Sequence, residues 1–354
     1  MRPPRPHFFL AVLCFSLFIP ALLRAQTDEK RAMDEALRWV RQIPRDSVQF
    51  DYEMTARVRL ILFWAGKDNV GGGYVRRGWS SPEQSAELVS VLFGSDPAKA
   101  PKAINRWGAG TEVFRIRTNS DNDSAGYSAF FGFMKSSQGK SVSEMQGELS
   151  KEGTHAEHRF SAILSRVDSG RALSLVVPMQ SSVDYNLHQL EEAQSYVFEE
   201  FLSSGRPVKK IPSDQQCPRN AGFLGTVKEL IDAALAGQKT PVALCYVYDA
   251  QVHNLTLRSV TPVNKLTVHT HPPQAPKEAP AVDHTYSNLL EAEFQSESKQ
   301  SGKRSNFNLV LGTSGTLRGI PVQIRYQPNW WFQVVLNLCP DSSPLPDAQA
   351  TQAQ

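Results

Sequence analysis

Between Val48 and Trp64 the side chains alternate. Val48, Phe50, Tyr52, Met54, Ala56, Val58, Leu60, Leu62 and Trp64 are apolar, while Gln49, Asp51, Glu53, Thr55, Arg57 and Arg59 between them are polar. A period of two held over such a run cannot lay its apolar groups on one side of a helix, but it puts all of them on one face of an extended strand. One dry face and one wet face is the signature of an antiparallel sheet. Residues 65–69 supply the turn and Val70 to Arg77 the return strand, so the chain is expected to build outward from a long hairpin.

The same reading extends along the chain. Met33, Ala36, Leu37, Val40 and Ile43 recur at helical spacing before Pro44. Ser81-Pro82-Glu83-Gln84 has the form of a helix start, with Leu88, Val89, Leu92 and Phe93 behind it and Gly94 as the stop. Strands are expected at Thr111–Thr118, Gly126–Lys135, Arg159–Val167 and Ala172–Met179, the last two turning at Asp168-Ser169-Gly170. A helix from Leu187 to Leu202 closes at Gly205. The Pro-rich, apolar-poor stretch that follows reads as a linker. A second helix, Leu224–Ala236, then precedes strands at Val242–Tyr248, Asn254–Val260, Lys265–His269, Tyr286–Ser296, Asn306–Leu311, Pro321–Tyr326 and Trp330–Leu338. Pro272 to Pro280 reads as a surface loop. The fold class is α+β and strand-dominated: two antiparallel meander parts, each preceded by a helix. The expected organisation is an N-terminal part at 26–205, a linker at 206–221, a C-terminal part at 222–340 and a disordered tail at 341–354.

Residues 1–25 have the three parts of an export signal. Arg2 and Arg5 open it, Phe8 to Leu23 form the apolar stretch, and Ala25 precedes the expected cut at Gln26. The expected location is therefore periplasmic or extracellular, with no transmembrane segment once the signal is removed. Charge supports no polyanionic partner. The 354 residues carry 38 basic and 35 acidic side chains, and removing Arg2, Arg5 and Arg24 leaves 35 of each sign. A chain without net charge has no long-range attraction for nucleic acid or an anionic membrane, so overall charge favours neither partner. Past the signal three cysteines remain, and an oxidising compartment permits one bridge. Cys217 in the linker and Cys339 after the last strand are the expected pair, with three free thiols as the alternative.

The strings Leu62-Phe63-Trp64, Asp68-Asn69-Val70-Gly71-Gly72, Gly94-Ser95-Asp96-Pro97 and Ile104-Asn105-Arg106-Trp107-Gly108 stand in this order in the N-terminal part. Over residues 56–202 the chain resembles uncharacterised exported proteins of soil bacteria, a resemblance that implies no activity. The closing Pro321-Val322-x-Ile324 is similar to periplasmic open-sheet domains of unknown function.

Several constellations carry possible chemistry. The triplet Gly71-Gly72-Gly73 lacks the spacing and the Lys-Ser or Lys-Thr ending of a phosphate cradle, and close backbone approach explains it better. His269-x-His271, with His284 beyond the Pro-rich loop, is the candidate ligand set for a transition metal, because alternate strand residues share a face. His155-x-x-His158 lacks the glutamate and helix of a zinc protease. Asn119-x-Asp121-x-Asp123 has calcium-like spacing, but Ser124 and Phe130 stand where that loop needs Gly and Glu. No nucleophile signature is present, and no catalytic residue is assigned. The polar strings in strand ends and loops make Asp68, Asn69, Asp96, Asn105, Arg106 and Trp107 the candidate binding residues. Trp331 joins them as the outward member of the Trp330-Trp331 pair, which beside Gln327 and Asn329 makes a platform for a sugar or an apolar ligand. The expected function is an exported, non-enzymatic binding or interaction protein whose partner is a small ligand, apolar or envelope-associated and carried within a curved sheet, or an envelope protein. The alternative is a metal-dependent or hydrolytic enzyme built on His269, His271 and His284.

Overall fold

The computed structural model describes residues 28–42, 45–60, 63–80, 86–114, 125–136, 157–168, 171–211, 217, 222–271 and 280–340. The export signal, the helix start at Ser81–Gln84, the spaced acids at Asn119–Asp123, His155, most of the Pro272–Pro280 loop and the 341–354 tail lie outside the described residues.

The alternating run becomes β1 (Arg45–Leu60) only as far as Leu60, and it pairs with the return strand β2 (Phe63–Ser80). The turn expected at residues 65–69 is therefore corrected: Trp64, Ala65, Gly66 and Lys67 already belong to β2, opposite Arg59, Val58, Arg57 and Ala56. From there the chain adds one antiparallel neighbour at a time: β3 (Ala86–Ser95), β4 (Arg106–Phe114), β5 (Gly126–Ser136), β6 (Glu157–Asp168), β7 (Arg171–Ser181) and the short β8 (Lys209–Lys210). The second half does the same with β9 (Val242–Tyr248), β10 (Gln251–Thr270), β11 (Val282–Ser298), β12 (Arg304–Gly312), β13 (Pro321–Asn329) and β14 (Phe332–Leu338). The last strand then returns to the first. Tyr52 faces Leu338 and Val58 faces Phe332 across the β1–β14 ladder. Both halves thus share one 14-stranded antiparallel sheet with β8 and β9 at its ends. The linker stretch contributes β8, which extends the sheet beyond β7.

The two ends of the sheet meet through side chains. Val167, Ala172, Ile211 and Cys217 from one end pack with Val247 and Val252 from the other. The Phe130 and Tyr248 rings touch at 5.5 Å between centroids. A Cys217–Cys245 disulfide, Cα–Cα 5.6 Å, staples this seam. The expected Cys217–Cys339 pair is therefore corrected. Cys339 remains a buried thiol, because its backbone N–H donates to Asp51 O and holds it beside β1, away from the seam.

Among the described residues three α-helices complete the fold: α1 (residues 28–40), α2 (Leu190–Ser203) and α3 (Phe223–Leu235). Each strand from β3 to β7 has two buried faces, and the helices divide them. Ala32, Met33, Ala36, Leu37 and Val40 of α1, with Ala193, Val197, Phe198 and Phe201 of α2, cover Leu88, Leu92, Val113, Phe131, Phe160 and Leu164. The opposite, concave face receives α3. Its Leu230, Ile231 and Ala234 pack on Tyr246, Leu255, Leu257, Phe294, Leu309 and Leu311 of the second half. Its N-terminus points at β4 of the first half, where Glu112 meets it.

This double burial explains the one element that the spacing misassigns. Leu88 and Leu92 look toward α1, and Val89 and Phe93 toward the interior. Apolar residues at i, i+1, i+4 and i+5 suit a helix face, and they equally suit a strand covered on both sides. Residues 86–95 are strand β3. Gly94 does not stop a helix. It lets β3 and β4 come together, since a Cβ there would overlap Cβ of Trp107. Gly71, on β2, is equally bound by the backbone of Gly94.

Candidate functional site

Asp96, Asn105 and Trp107 do converge, and what they hold is the chain's own segment leading into α2. Asn105 Nδ2 donates to Asp184 Oδ1 at 2.7 Å and to the Tyr185 carbonyl at 2.8 Å. Trp107 Nε1 donates to the same carbonyl at 3.1 Å. Asp96 accepts from Ala98 N–H at 3.0 Å, and its second oxygen lies 3.2 Å from His188 Nε2. The Trp107 ring is 4% exposed and packs among Phe131, Phe133 and Phe160. Arg106 is exposed, and Ser95 Oγ accepts from its backbone N–H. Asp68 accepts from Thr55 Oγ1 at 2.8 Å, and Asn69 takes the left-handed conformation (φ 51°) that turn chemistry favours.

The three histidines are not gathered. His269 pairs with the exposed Asp283, Nδ1 to Oδ1 2.6 Å. His284 stands opposite Val268, one register step away, and so points to the other face of the ribbon. His271 turns to β1, where Glu53 Oε2 accepts its backbone N–H at 2.7 Å and lies 2.8 Å from its Nδ1. Among the described residues no group of three or more His, Cys, Asp or Glu is placed to hold a metal ion.

The interior holds buried ionisable groups. Glu112 is 1% exposed. Its Oε1 accepts from Gly222 N–H at 2.9 Å and Gly225 N–H at 3.1 Å, and its Oε2 from Leu224 N–H at 2.8 Å. Burial pushes this carboxyl up to about 7, against the downward pull of the three N–H donors. His253 is pushed down by burial and stacks on Tyr246 at 5.1 Å. A recess of about 220 Å³ opens at one flank of α3 and is lined by Arg77, Lys228, Asp232 and Arg318. Its charges answer one another: Lys228 reaches Asp232 at 3.0 Å, and Arg77 reaches Glu87 at 3.4 Å. With α3 filling the concave side, an apolar carrier pocket has no room where this helix lies.

A second recess is on the outer face of β12–β14, a trough of about 510 Å³ lined by Asn306, Asn308, Arg325, Gln327, Trp330 and Gln333. Period-two geometry builds it. Asn306 and Asn308 alternate with the inward Phe307 and Leu309, Asn308 faces Arg325 across β12–β13, and Arg325 faces Val335 across β13–β14. Gln333, two residues before Val335, shares that face. Glu291 Oε1 accepts from Asn308 Nδ2 at 2.9 Å and from Arg325 Nη2, which fixes the guanidinium plane. Arg325 Nε is buried and has no hydrogen-bond partner among the described residues. Trp330 closes one end and is 68% exposed. The strand expected at Trp330–Leu338 starts at Phe332, so Trp330 and Trp331 sit in the β13–β14 turn and neither packs inward. Sequence reading identified Trp331 with Gln327 and Asn329 beside it, and passed over Asn306, Asn308, Arg325 and Gln333. Their signal is polar residues at alternate positions on neighbouring strands, which shows only once the register is known.

No family model matches the chain, and no curated protein matches it. Among solved structures it is similar to a β-barrel-like protein of a domain of unknown function, DUF1849, from Brucella abortus. The two share 12% identity over 84% of this chain and 97% of that one, with a TM-score of 0.39.

Proposed function

We propose that this is an exported, non-enzymatic binding protein whose ligand is polyhydroxylated, a saccharide chain held in the β12–β14 trough. The export half of the reading rests on the sequence of residues 1–25. The ligand class rests on one observation: four carboxamides and a fixed guanidinium surround a largely exposed indole. Carboxamides donate and accept at once, which matches hydroxyl groups, and guanidinium adds directed donors. A flat indole offers an apolar face to the C–H side of a sugar ring while its neighbours bind the edge. The enzyme alternative has no assembled set of histidines behind it among the described residues.

Titration of a panel of short soluble oligosaccharides, read by tryptophan fluorescence and calorimetry, tests the proposal. At least one should bind, and Trp330→Ala and Arg325→Ala should each weaken it tenfold or more, the loss expected of one well-placed contact. Affinity unchanged in both variants would remove the trough from consideration.

A further inference from the structure

Beyond the trough, the same face continues onto β1 and β2. There Arg59 faces Trp64 across the β1–β2 ladder, and its backbone N–H donates to the Trp331 carbonyl at 2.8 Å. Trp64, Arg59 and Trp331 therefore form a row across β2, β1 and the β13–β14 turn. The next row on that face is Gly66, Arg57 and Gln333. Trp64 and Trp331 are 39% and 45% exposed. Arg57 and Arg59 are exposed as well, and neither forms an ion pair among the described residues. Lys67 adds a cation nearby, and Asp68 is the one acid close to it in sequence.

Indoles flanking arginines at the lip of a sheet suit one kind of surface. Trp prefers the boundary between headgroups and hydrocarbon, where its ring is apolar and its N–H stays wet. Unpaired arginines beside it are complementary to lipid phosphates and to the negative potential of an anionic bilayer. We propose that the Trp64–Arg59–Trp331 row is a membrane-docking edge that seats the protein on an anionic phospholipid surface. Two aromatic anchors and two cations give reversible, peripheral attachment.

Co-sedimentation of the full chain with phosphatidylglycerol vesicles and with phosphatidylcholine vesicles tests this. The expected partition coefficient is at least tenfold higher on the anionic vesicles and falls with added salt. Trp64→Ser with Trp331→Ser should lower it about tenfold, and Arg57→Glu with Arg59→Glu should abolish the anionic preference. Residues 1–25 are common to all variants and contain no tryptophan. Brominated phosphatidylglycerol should accordingly quench tryptophan fluorescence of the unmodified protein, and the double serine variant should lose most of that quenching. Equal partitioning onto both vesicle types, no quenching, or an unchanged double serine variant would overturn the proposal. So would a concentration-dependent dimer abolished by Trp64→Ser in a protein that ignores vesicles. Because Trp330 is untouched, saccharide binding by the double serine variant separates this result from that of the trough.

Discussion

Replacing Glu112 by Gln tests how the interior helix is held. The carboxyl has two acceptor oxygens for three N–H groups, two on Oε1 and one on Oε2. An amide has one. Turned to keep Gly222 and Gly225, it presents its NH2 to Leu224 N–H, donor against donor, in a site that is 1% exposed. Leaving one buried donor unmatched costs about 2 kcal/mol. The protonated carboxylic acid avoids that conflict, because its second oxygen keeps a lone pair. Ionisation changes the comparison. Burial raises the carboxyl from 4.5 to about 7 in the folded protein, so between those values the folded state binds more protons than the unfolded one. The native protein then loses stability as pH rises from 4.5 to 7, by about 3 kcal/mol for this group, and is level above. Glu112→Gln lacks that slope. Urea unfolding should find the variant less stable by about 2 kcal/mol at pH 4, with the deficit closed or reversed by pH 8. Parallel pH curves for the two proteins would refute the raised carboxyl. A deficit that grows with pH would mean that the charge on the helix N-terminus outweighs the cost of burying it.

Two further outcomes follow from the seam and the tight strand pair. Cys217→Ser with Cys245→Ser opens a loop between residues 28 apart and should cost about 3–4 kcal/mol in denaturant unfolding. Reductant should reproduce the loss in the native protein, while Cys339→Ala should leave the reductant response intact. Gly94→Ala places a methyl against Trp107 Cβ and should lower stability by about 2–3 kcal/mol. A thermal midpoint within a degree of the native value would show that β3 and β4 can part without cost.

The strands with one wet face were legible because Val48 to Leu60, and later Asn306 to Leu309, announce their own periodicity, although the alternation ran on through Trp64 and so hid the turn that brings Trp64 back opposite Arg59. Strand β3 was not, because Leu88, Val89, Leu92 and Phe93 are buried on both sides and the two periods become indistinguishable. The disulfide was hidden for a different reason. Cys217 and Cys245 meet only because a sheet of fourteen strands curls until its ends touch, a closure that no local pattern encodes. Asp96, Asn105 and Trp107 were visible as a group, and their partners Asp184, Tyr185 and His188 lie about eighty to ninety residues away, so a tertiary clamp was read as a binding surface. The trough needs three strands in register before Asn308, Arg325 and Gln333 become neighbours. Glu112 gave no sign at all, since a lone acid in a strand announces neither burial nor the helix that it receives.

The pairing of β1 with β14 also sets a clock. Residues 45–60 have β2 beside them early, but their other neighbour is the last strand of the chain. While a ribosome or an export channel still holds residue 338, that side of the hairpin stays open, and the sheet cannot be completed. Such wide sequence separation makes folding slow, and it leaves the polypeptide threadable until its final stretch has arrived.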